Sequence, residues 1–521
     1  MEFMFIDFQW ELYLLTNIIM NMFKKIKLSL LSACLIICLL SQMVMAENIV
    51  LSSKITSLGT PPAGWKFFAK SLKVSPDSNH LAYVIKKDDQ YAIKLDDKTG
   101  PLFDAIGKNS HIFSPDSKHL AYTGKIKKKW YKILDHEKGQ GFEAVSTPKF
   151  SPDSSIFACI GQNKKKQQVV VNTRKEKAYD GIVQKLNSPV FSPDSKHLAY
   201  AAMQDKKLTV ILDKKQGPFY KMVGPPAFSP DSSSLVYCAQ KDDSWFMLTK
   251  EGTGPLYENI GMYAFSLDSR RLVYTAQKNK MWYMVENRSK GPAFEQVYIP
   301  VFSPDSKHLA YLGTNKKKSV MVIDGKKEKT FDEIGFFQFS PDSTQYAYSA
   351  KNGKKCFMVI NGKPGPSYKA VTIPFFSPDS KHIAYTVLKD NKWHIIKNDQ
   401  TGQGYDIITP PFFSPDSKRL AYMAKAKDKW TIVVNGKPGR FYDGVAIPVF
   451  SPDSKHIAYL AKKQNIWFVV VDTVEEKTWL KGGVKGARLL FDSPALLHTL
   501  GMRGPGLEFI RLEIKISSFG S

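Results

Sequence analysis

Short apolar runs alternate with polar turns along most of the chain, and the same order of runs returns about every 37 residues. In the stretch 408–445, the segment 419–423 is mostly apolar, and the segment 430–434 is β-branched and aromatic. Runs of this length and composition predict β-strands. No 11-residue window after residue 46 shows a helical period, so we expect an all-β protein.

A four-residue motif, Ser-Pro-Asp-Ser, marks the start of each unit. The spacings between its copies are 39, 37 and 41 residues, followed by seven spacings of 37. A fixed period of 20–50 residues indicates one supersecondary unit that is copied along the chain. The first serine of the eleven copies, one of which has Leu267 in place of proline, falls at Ser75, Ser114, Ser151, Ser192, Ser229, Ser266, Ser303, Ser340, Ser377, Ser414 and Ser451.

Aromatic residues recur at fixed distances from the motif, whose first serine we number 0. Position −1 is Phe in ten copies, and position +8 is Tyr in ten, with Cys159 as the exception. Position +16 is Trp in six copies, and position +28 is aromatic in all eleven, from Phe103 to Trp479. We expect these side chains to pack between neighbouring units rather than to bind a ligand.

The turns between the runs complete the description of one unit. The motif suits a type I turn, in which proline fixes φ and Asp accepts backbone N–H groups. Asp324-Gly325, Asn361-Gly362 and Asn435-Gly436 are typical of two-residue hairpins. Each unit is therefore predicted to be a four-stranded antiparallel meander. Because one such sheet cannot bury both faces, radial stacking into a β-propeller is the expected architecture.

The repeat resembles that of the TolB-like, WD40-type β-propellers, which reads roughly Phe-Ser-Pro-Asp-Gly-Lys-x-(Ile/Leu)-Ala-(Phe/Tyr). The segments 113–122, 191–200, 302–311 and 450–459 match this pattern closely. The resemblance implies a propeller in an extracytoplasmic setting. One departure is systematic, because serine replaces the family's glycine after Asp. Serine tolerates positive φ poorly, so we expect a turn of slightly different type.

The two ends of the chain are expected to complete one blade together. Segments 489–494, 496–500 and 507–514 provide three strands of a twelfth unit, and the extended run 48–58 can add the fourth. About twelve blades result. Because propellers commonly have four to eight, two six-bladed rings, 47–297 and 298–516, are favoured over one large ring.

The first 46 residues are predicted to be an N-terminal extension followed by a signal peptide. Lys24, Lys25 and Lys27 precede an apolar stretch, and Ala46 ends a plausible cleavage site. Translation from Met20 or Met22 instead of Met1, and lipidation at Cys34, remain alternatives. The expected location is extracytoplasmic, in the bacterial periplasm, with a lipid-anchored or secreted protein as the alternative.

Composition and motifs limit the function. The 521 residues carry a formal net charge of +26, which permits an anionic partner. After signal cleavage three cysteines remain, too few and too scattered for a disulfide framework. No hydrolase elbow, phosphate loop or zinc-protease motif occurs, so we predict no catalytic residues, no cofactor and no metal.

The repeated aspartates at position +2 invite a catalytic or metal-binding interpretation, but a residue present in every blade lies around a ring and does not converge on one point. We interpret them as structural turn residues, and the six histidines at position +5 as surface residues at strand starts. The aspartates are Asp77, Asp116, Asp153, Asp194, Asp231, Asp268, Asp305, Asp342, Asp379, Asp416 and Asp453.

Lysine-rich turns between the second and third strands are the candidate interaction loops. They should lie at the opposite face from the motif and make the molecule electrically two-sided. The candidate residues are Lys127, Lys128, Lys129, Lys164, Lys165, Lys166, Lys206, Lys207, Lys316, Lys317, Lys318, Lys354 and Lys355.

The first functional hypothesis is an exported, non-enzymatic scaffold that binds a protein or an anionic envelope component, with no nucleic acid and no transmembrane span after signal cleavage. The alternatives are a propeller hydrolase or lyase with a channel site, and a module that binds a glycan or small ligand.

Overall fold

The computed structural model describes residues 49–186, 188–504 and 506–518. The predicted signal segment, the alternative start codons and Cys34 lie outside these residues. The described part is all-β and forms twelve antiparallel sheets, which are the blades of a β-propeller. Its helical segments are two 3₁₀ turns, Ala69–Ser71 and Gln184–Leu186. We number the blades by the motif that each contains, and the sheet without a motif is blade 12.

The second and third strands of each blade form its central hairpin, because their apolar, β-branched sequences favour extended structure. The second strands of blades 1–12 are Leu81–Lys87, Leu120–Ile126, Phe157–Asn163, Leu198–Gln204, Leu235–Lys241, Leu272–Lys278, Leu309–Asn315, Tyr346–Asn352, Ile383–Lys389, Leu420–Ala426, Ile457–Lys463 and Leu496–Arg503. The third strands are Gln90–Leu95, Lys129–Leu134, Lys166–Val171, Lys207–Leu212, Ser244–Thr249, Met281–Glu286, Lys318–Ile323, Lys355–Ile360, Lys392–Lys397, Lys429–Val434, Ile466–Val471 and Glu508–Ser518.

The fourth strands are short in most blades and form one edge of each sheet. They are Lys98–Thr99, Glu137–Phe142, Arg174–Tyr179, Lys215–Gln216, Gly252–Thr253, Ser289–Lys290, Lys326–Phe331, Lys363–Tyr368, Gln400–Thr401, Lys437–Pro438, Val474–Glu475 and, in blade 12, the N-terminal strand Ile49–Ser57. The aromatic side chain at +28 is predominantly buried, for example Phe142 and Tyr442. Blade 11 differs, because Leu480 pairs with Trp467 in this place and Trp479 is 67% exposed.

The first strands form the other edge and are interrupted in ten blades. They are Lys66–Phe67 with Lys73–Val74, Ala105–Ile106 with Ile112–Phe113, Ala144–Val145 with Lys149–Phe150, Gly181–Ile182 with Val190–Phe191, Met222–Val223 with Ala227–Phe228, Asn259–Phe265, Gln296–Val297 with Val301–Phe302, Glu333–Phe339, Ala370–Val371 with Phe375–Phe376, Ile407–Ile408 with Phe412–Phe413, Gly444–Val445 with Val449–Phe450, and Gly482–Gly483 with Leu490–Ser493.

The ring closes through the two ends of the chain. The strand Ile49–Ser57 pairs antiparallel with Ile510–Ser518 along its whole length, which is the closure that the extended run 48–58 predicts. Blade 12 then packs on blade 1, where Phe509 contacts Phe67 with ring centroids 5.9 Å apart and shares a core with Tyr83 and Leu500. Pairing the N-terminal strand in this way covers the sheet edge that would otherwise remain open.

The twelve blades form a single ring, so the expectation of two six-bladed rings is wrong and the one-ring alternative is right. Blades 6 and 7, on either side of residue 298, share a core that includes Val273, Met284 and Leu309. A hydrogen bond from the Asp268 N–H to the Ser306 hydroxyl joins their motifs at 3.1 Å, as in other neighbouring pairs. Each junction repeats the same contacts, so each blade is rotated by a similar angle relative to the one before it. The length of the repeat gives no information about this angle.

Candidate interaction surfaces

The motif forms the predicted turn, and its aspartate accepts hydrogen bonds within that turn. In each of the eleven copies the N–H at +3 donates to the carbonyl at 0, as from Ser117 to Ser114 at 2.9 Å. The serine at 0 donates its hydroxyl to the aspartate, which also accepts the N–H at +4, as Asp153 does from Ser151 at 2.6 Å and from Ser155 at 3.0 Å. The Ser151 hydroxyl is the main reason that the pKa of Asp153 is lowered to about 2. The carboxylate is thereby fixed as an ionised acceptor.

The second serine of the motif explains the departure from glycine. It adopts positive φ in every copy, for example 65° at Ser306, so the expectation of a different turn type is wrong. Its hydroxyl accepts the N–H of the preceding blade's aspartate, at 2.9–3.1 Å in ten consecutive pairs of blades. Glycine could not provide this contact between blades, which offsets the cost of left-handed backbone.

The histidines at +5 belong to a repeated pair that sequence reasoning missed. In five of the six, Nδ1 contacts a carboxylate at +21 in the same blade, as between His119 and Asp135 at 2.6 Å and between His197 and Asp213 at 2.6 Å. His382 instead contacts the side-chain amide of Asn398 at 2.7 Å. The Asp96 carboxylate raises the pKa of His80 in the same arrangement. A sign of the pair is visible in the repeats, because all five aspartates at +21 occur in copies with His at +5.

The lysine turns lie where the sequence predicts. All thirteen candidate lysines are exposed, and they follow the end of the second strand, whereas the motif precedes its start. The two sets of turns therefore occupy opposite faces of the ring.

Acidic residues at +29, one residue before the next blade, form hydrogen bonds or ion pairs with many of these turns. The Lys127 N–H donates to Asp104, and the Lys164 N–H donates to Glu143 at 2.8 Å. The side chain of Lys166 pairs with Asp180 at 2.6 Å, and Lys318 pairs with Asp332 in the same way. The lysine face thus contains carboxylates at its base in eight of the eleven repeats, which the sequence analysis did not identify.

The first strands form the inner edge of the ring. Neighbouring motif turns touch through the short serine side chain, whereas neighbouring fourth strands are joined by long side chains, such as Lys177 to Gln216 at 3.0 Å and Arg440 to Glu475 at 3.3 Å. Blades are therefore closest together beside the first strands, which face the central channel of the propeller.

Exposed apolar side chains gather on this inner edge in one part of the ring. They occupy the first strands of blades 5–8, 10 and 11 or the interruptions within them, and Ile447 is 73% exposed. We call this set the apolar arc: Met222, Met262, Tyr298, Ile299, Val301, Phe336, Ile407 and Ile447.

Other candidate chemistry is limited in the residues that the structure describes. They include no group of three or more His, Cys, Asp or Glu side chains placed to hold a metal ion. Cys159 and Cys238 are buried free thiols, and burial raises the pKa of each to about 11. Over the same residues, no helix is long and apolar enough to cross a membrane.

Comparison with known proteins adds no family assignment. No family model and no curated protein matches the chain. Similar solved structures include a eukaryotic initiation factor, with 14% identity over 70% of this chain and 94% of that chain and a TM-score of 0.34. TolB from Acinetobacter baumannii has 12% identity, 53% and 78% coverage and a TM-score of 0.24. The Cps50 (Swd1) β-propeller domain from Myceliophteria thermophila has 11% identity, 49% and 98% coverage and a TM-score of 0.24. Strand pairing and the ring of contacts establish that this chain is a β-propeller.

Proposed function

We propose that this protein is an exported, non-enzymatic scaffold that binds a protein partner through the apolar arc. The exposure of the arc carries the proposal. Soluble proteins rarely expose large contiguous apolar patches, and such patches are typical of protein-binding sites. Blades 6, 7 and 8 present Met262, Ile299 and Phe336 at equivalent positions, so their exposed groups form a series along the ring.

The charges around the arc favour a protein over nucleic acid. A nucleic-acid site needs cations along the contact surface, whereas the equivalent exposed positions of blades 6, 7 and 8 are Met262, Ile299 and Phe336. The lysine turns lie at one face of the ring, where they favour acidic groups on the same partner or an anionic component of the cell envelope. The partner that fits is a protein with an apolar contact region and acidic residues beside it.

The setting of the scaffold follows from the repeat and the N-terminal residues. The Phe-Ser-Pro-Asp-Ser pattern supports a TolB-like repeat, and the predicted signal segment supports export. Mass spectrometry of the protein from its native host tests export directly. A mature chain that begins at Glu47 is expected, a lipid on Cys34 would replace simple cleavage with anchoring, and an intact segment in the cytoplasm would overturn export.

Capture from envelope extracts at low and high salt tests the binding surface. The arc variant carries Met262→Ser, Phe336→Ser and Ile447→Ser. The control variant carries Leu102→Ser, Leu256→Ser and Phe441→Ser, which are also exposed apolar residues but lie at +27, beside the fourth strand. A third variant carries Gln in place of Lys127, Lys128, Lys316 and Lys317.

A partner identified by mass spectrometry should bind the wild type and the control variant but not the arc variant. The lysine variant should bind more weakly at low salt only, because salt screens exposed charges. Equal binding to the arc and control variants would overturn the role of the arc. Turnover of a substrate by the purified protein would overturn the non-enzymatic role.

A further inference from the structure

A pocket of about 300 Å³ lies between blades 2 and 3, away from the apolar arc. Blade 2 contributes Lys108, Ser110, Thr123 and Trp130, and blade 3 contributes Val145 and Thr147. Its volume is at the lower end of the range for small-molecule sites.

The pocket exists where the repeat is broken. The first strand of blade 2 is interrupted over residues 107–111, two residues more than in the 37-residue repeats, which accounts for the spacing of 39 between motifs. Lys108, within this interruption, lines the pocket. Asn109 has a φ of 54°, which turns the chain back so that Ser110 and His111 are buried.

Hydrogen bonds hold the inserted residues in place before any ligand binds. The Gly107 N–H donates to the Thr123 carbonyl at 2.9 Å, and the Ser110 N–H donates to the Gly107 carbonyl at 3.1 Å. The Ser110 hydroxyl accepts the Thr123 N–H at 3.1 Å. His111 contacts the Ser71 carbonyl through Nε2 at 2.5 Å, which ties the insertion to blade 1. Such preorganisation reduces the entropy lost on binding.

The pocket offers three kinds of contact. The indole of Trp130 provides a flat apolar surface, and the residues Ser110, Thr123 and Thr147 provide hydroxyl groups. Lys108 is exposed, and the Lys125 ammonium lies 5.9 Å from the centre of the Trp130 ring. No carboxylate is among the residues that line the pocket in the described chain.

These groups define the ligand. A purely apolar ligand would leave hydroxyl groups without water or a partner, which is costly. A cation would be repelled by the ammonium groups. A ring with an apolar face, several hydroxyl groups and one negative charge satisfies each contact. We propose that the pocket binds an anionic sugar, with its pyranose ring against Trp130 and its carboxylate toward Lys108.

Blade 6 provides a matched control within the same chain. Its Gly261, Thr275 and Trp282 occupy the positions of Gly107, Thr123 and Trp130, but its first strand, Asn259–Phe265, is continuous and has Met262 in the place of Lys108. Trp282→Ala therefore removes the same type of side chain without touching the proposed site.

Isothermal titration of the full chain with glucuronate, galacturonate, glucose and galactose tests the proposal. A uronate should bind at least about tenfold more tightly than its neutral counterpart. Trp130→Ala should abolish binding and Trp282→Ala should leave it unchanged. Lys108→Gln should remove the preference for the uronate. Thr147→Trp, which fills the exposed mouth of the pocket, should block binding if Trp130→Ala is not folded.

The result that overturns the site is the absence of uronate binding to the wild type, or binding that survives both Trp130→Ala and Thr147→Trp. Equal affinity for uronate and neutral sugar would overturn the anionic ligand. Neither result affects the scaffold proposal, because the apolar arc is unchanged in these variants.

Discussion

Blades 1–4 and blades 5–10 use the same motif but have different interiors. The spacings between motifs vary only in the first group, and there the buried residues include Lys94, His111 and Lys132. In blades 5–10, the buried polar side chains among the described residues are serines and threonines. The ring therefore combines an irregular part, which contains the pocket, with a regular part, which carries most of the apolar arc. Irregularity at the junctions of a repeat creates sites, whereas regularity creates continuous surfaces.

One junction shows the difference at the level of two positions. In the regular part, position +18 of one blade packs on the tyrosine at +8 of the next, as Met321 does on Tyr348. Between blades 2 and 3 these positions are Lys132 and Cys159. The Lys132 Nζ lies 4.6 Å from the centre of the Phe157 ring and has no hydrogen-bond partner. Burial lowers the pKa of this lysine.

The largest loss of stability is expected from removing a tyrosine of the regular part. Tyr348→Ala should reduce the free energy of unfolding by about 3–5 kcal/mol, because it leaves a large cavity between two blades. Cys159→Ala at the equivalent position should cost about 1 kcal/mol. Urea unfolding followed by circular dichroism measures both. Tyr348→Phe is the control and should be nearly neutral, since the Tyr348 hydroxyl is buried without a partner. Equal costs for the alanine variants would show that the two junctions are equivalent.

A smaller, stabilising effect is expected at the irregular junction. Lys132→Met restores the side chain of the regular part and should raise the free energy of unfolding by about 1–3 kcal/mol at pH 7, because it removes a buried ammonium group that has no hydrogen-bond partner. The folded-state pKa of Lys132 lies below the ordinary lysine value, so the unfolded state binds more protons between the two values. Wild-type stability from this group therefore rises with pH in that window, and the advantage of Lys132→Met should shrink as the pH approaches 10.

Two comparisons keep this prediction open to refutation. Met321→Lys introduces the reverse change in the regular part and should be destabilising. An advantage of Lys132→Met that is independent of pH would mean that packing, and not the lysine's protonation, limits the stability of this junction.

The smallest change in the free energy of unfolding is expected from the second serine of the motif, and it should be the same in both parts of the ring. Ser117→Ala and Ser306→Ala remove the hydroxyl that accepts an N–H from the preceding blade and should each cost about 1 kcal/mol. Ser306→Gly should cost less, because glycine relieves the positive φ at this position. Thermal unfolding of the three variants under identical conditions would show the order. A serine-to-alanine cost confined to one half would contradict a common role of the motif.

Much of the fold could be predicted because the same residue pattern recurs in eleven copies. The turn of Ser114 and the hairpin at Asn435 depend on neighbours within the blade. Phe142 packs on Cys159 and Val170 of the next blade, and it was predictable because an aromatic residue recurs at +28 in all eleven copies. The His119–Asp135 pair could also have been predicted, since every aspartate at +21 occurs in a copy with His at +5. The apolar arc and the pocket were not predictable, because Ile447, Trp130 and Lys108 have ordinary positions in the repeat. Only the neighbouring blades show that these residues form a shared surface or a pocket.

The sequence by itself determined the blade: its four strands, its motif turn, its lysine turn and the N-terminal strand that completes the ring. These features follow from backbone preferences and apolar periodicity, which act over a few residues. The tertiary structure decided that twelve blades form one ring, that serine replaces glycine in order to join neighbours, and that inserted residues open a pocket. Those outcomes depend on the angle and the contacts between blades. Small differences in this angle add up around the ring, and they do not change the length of the repeat.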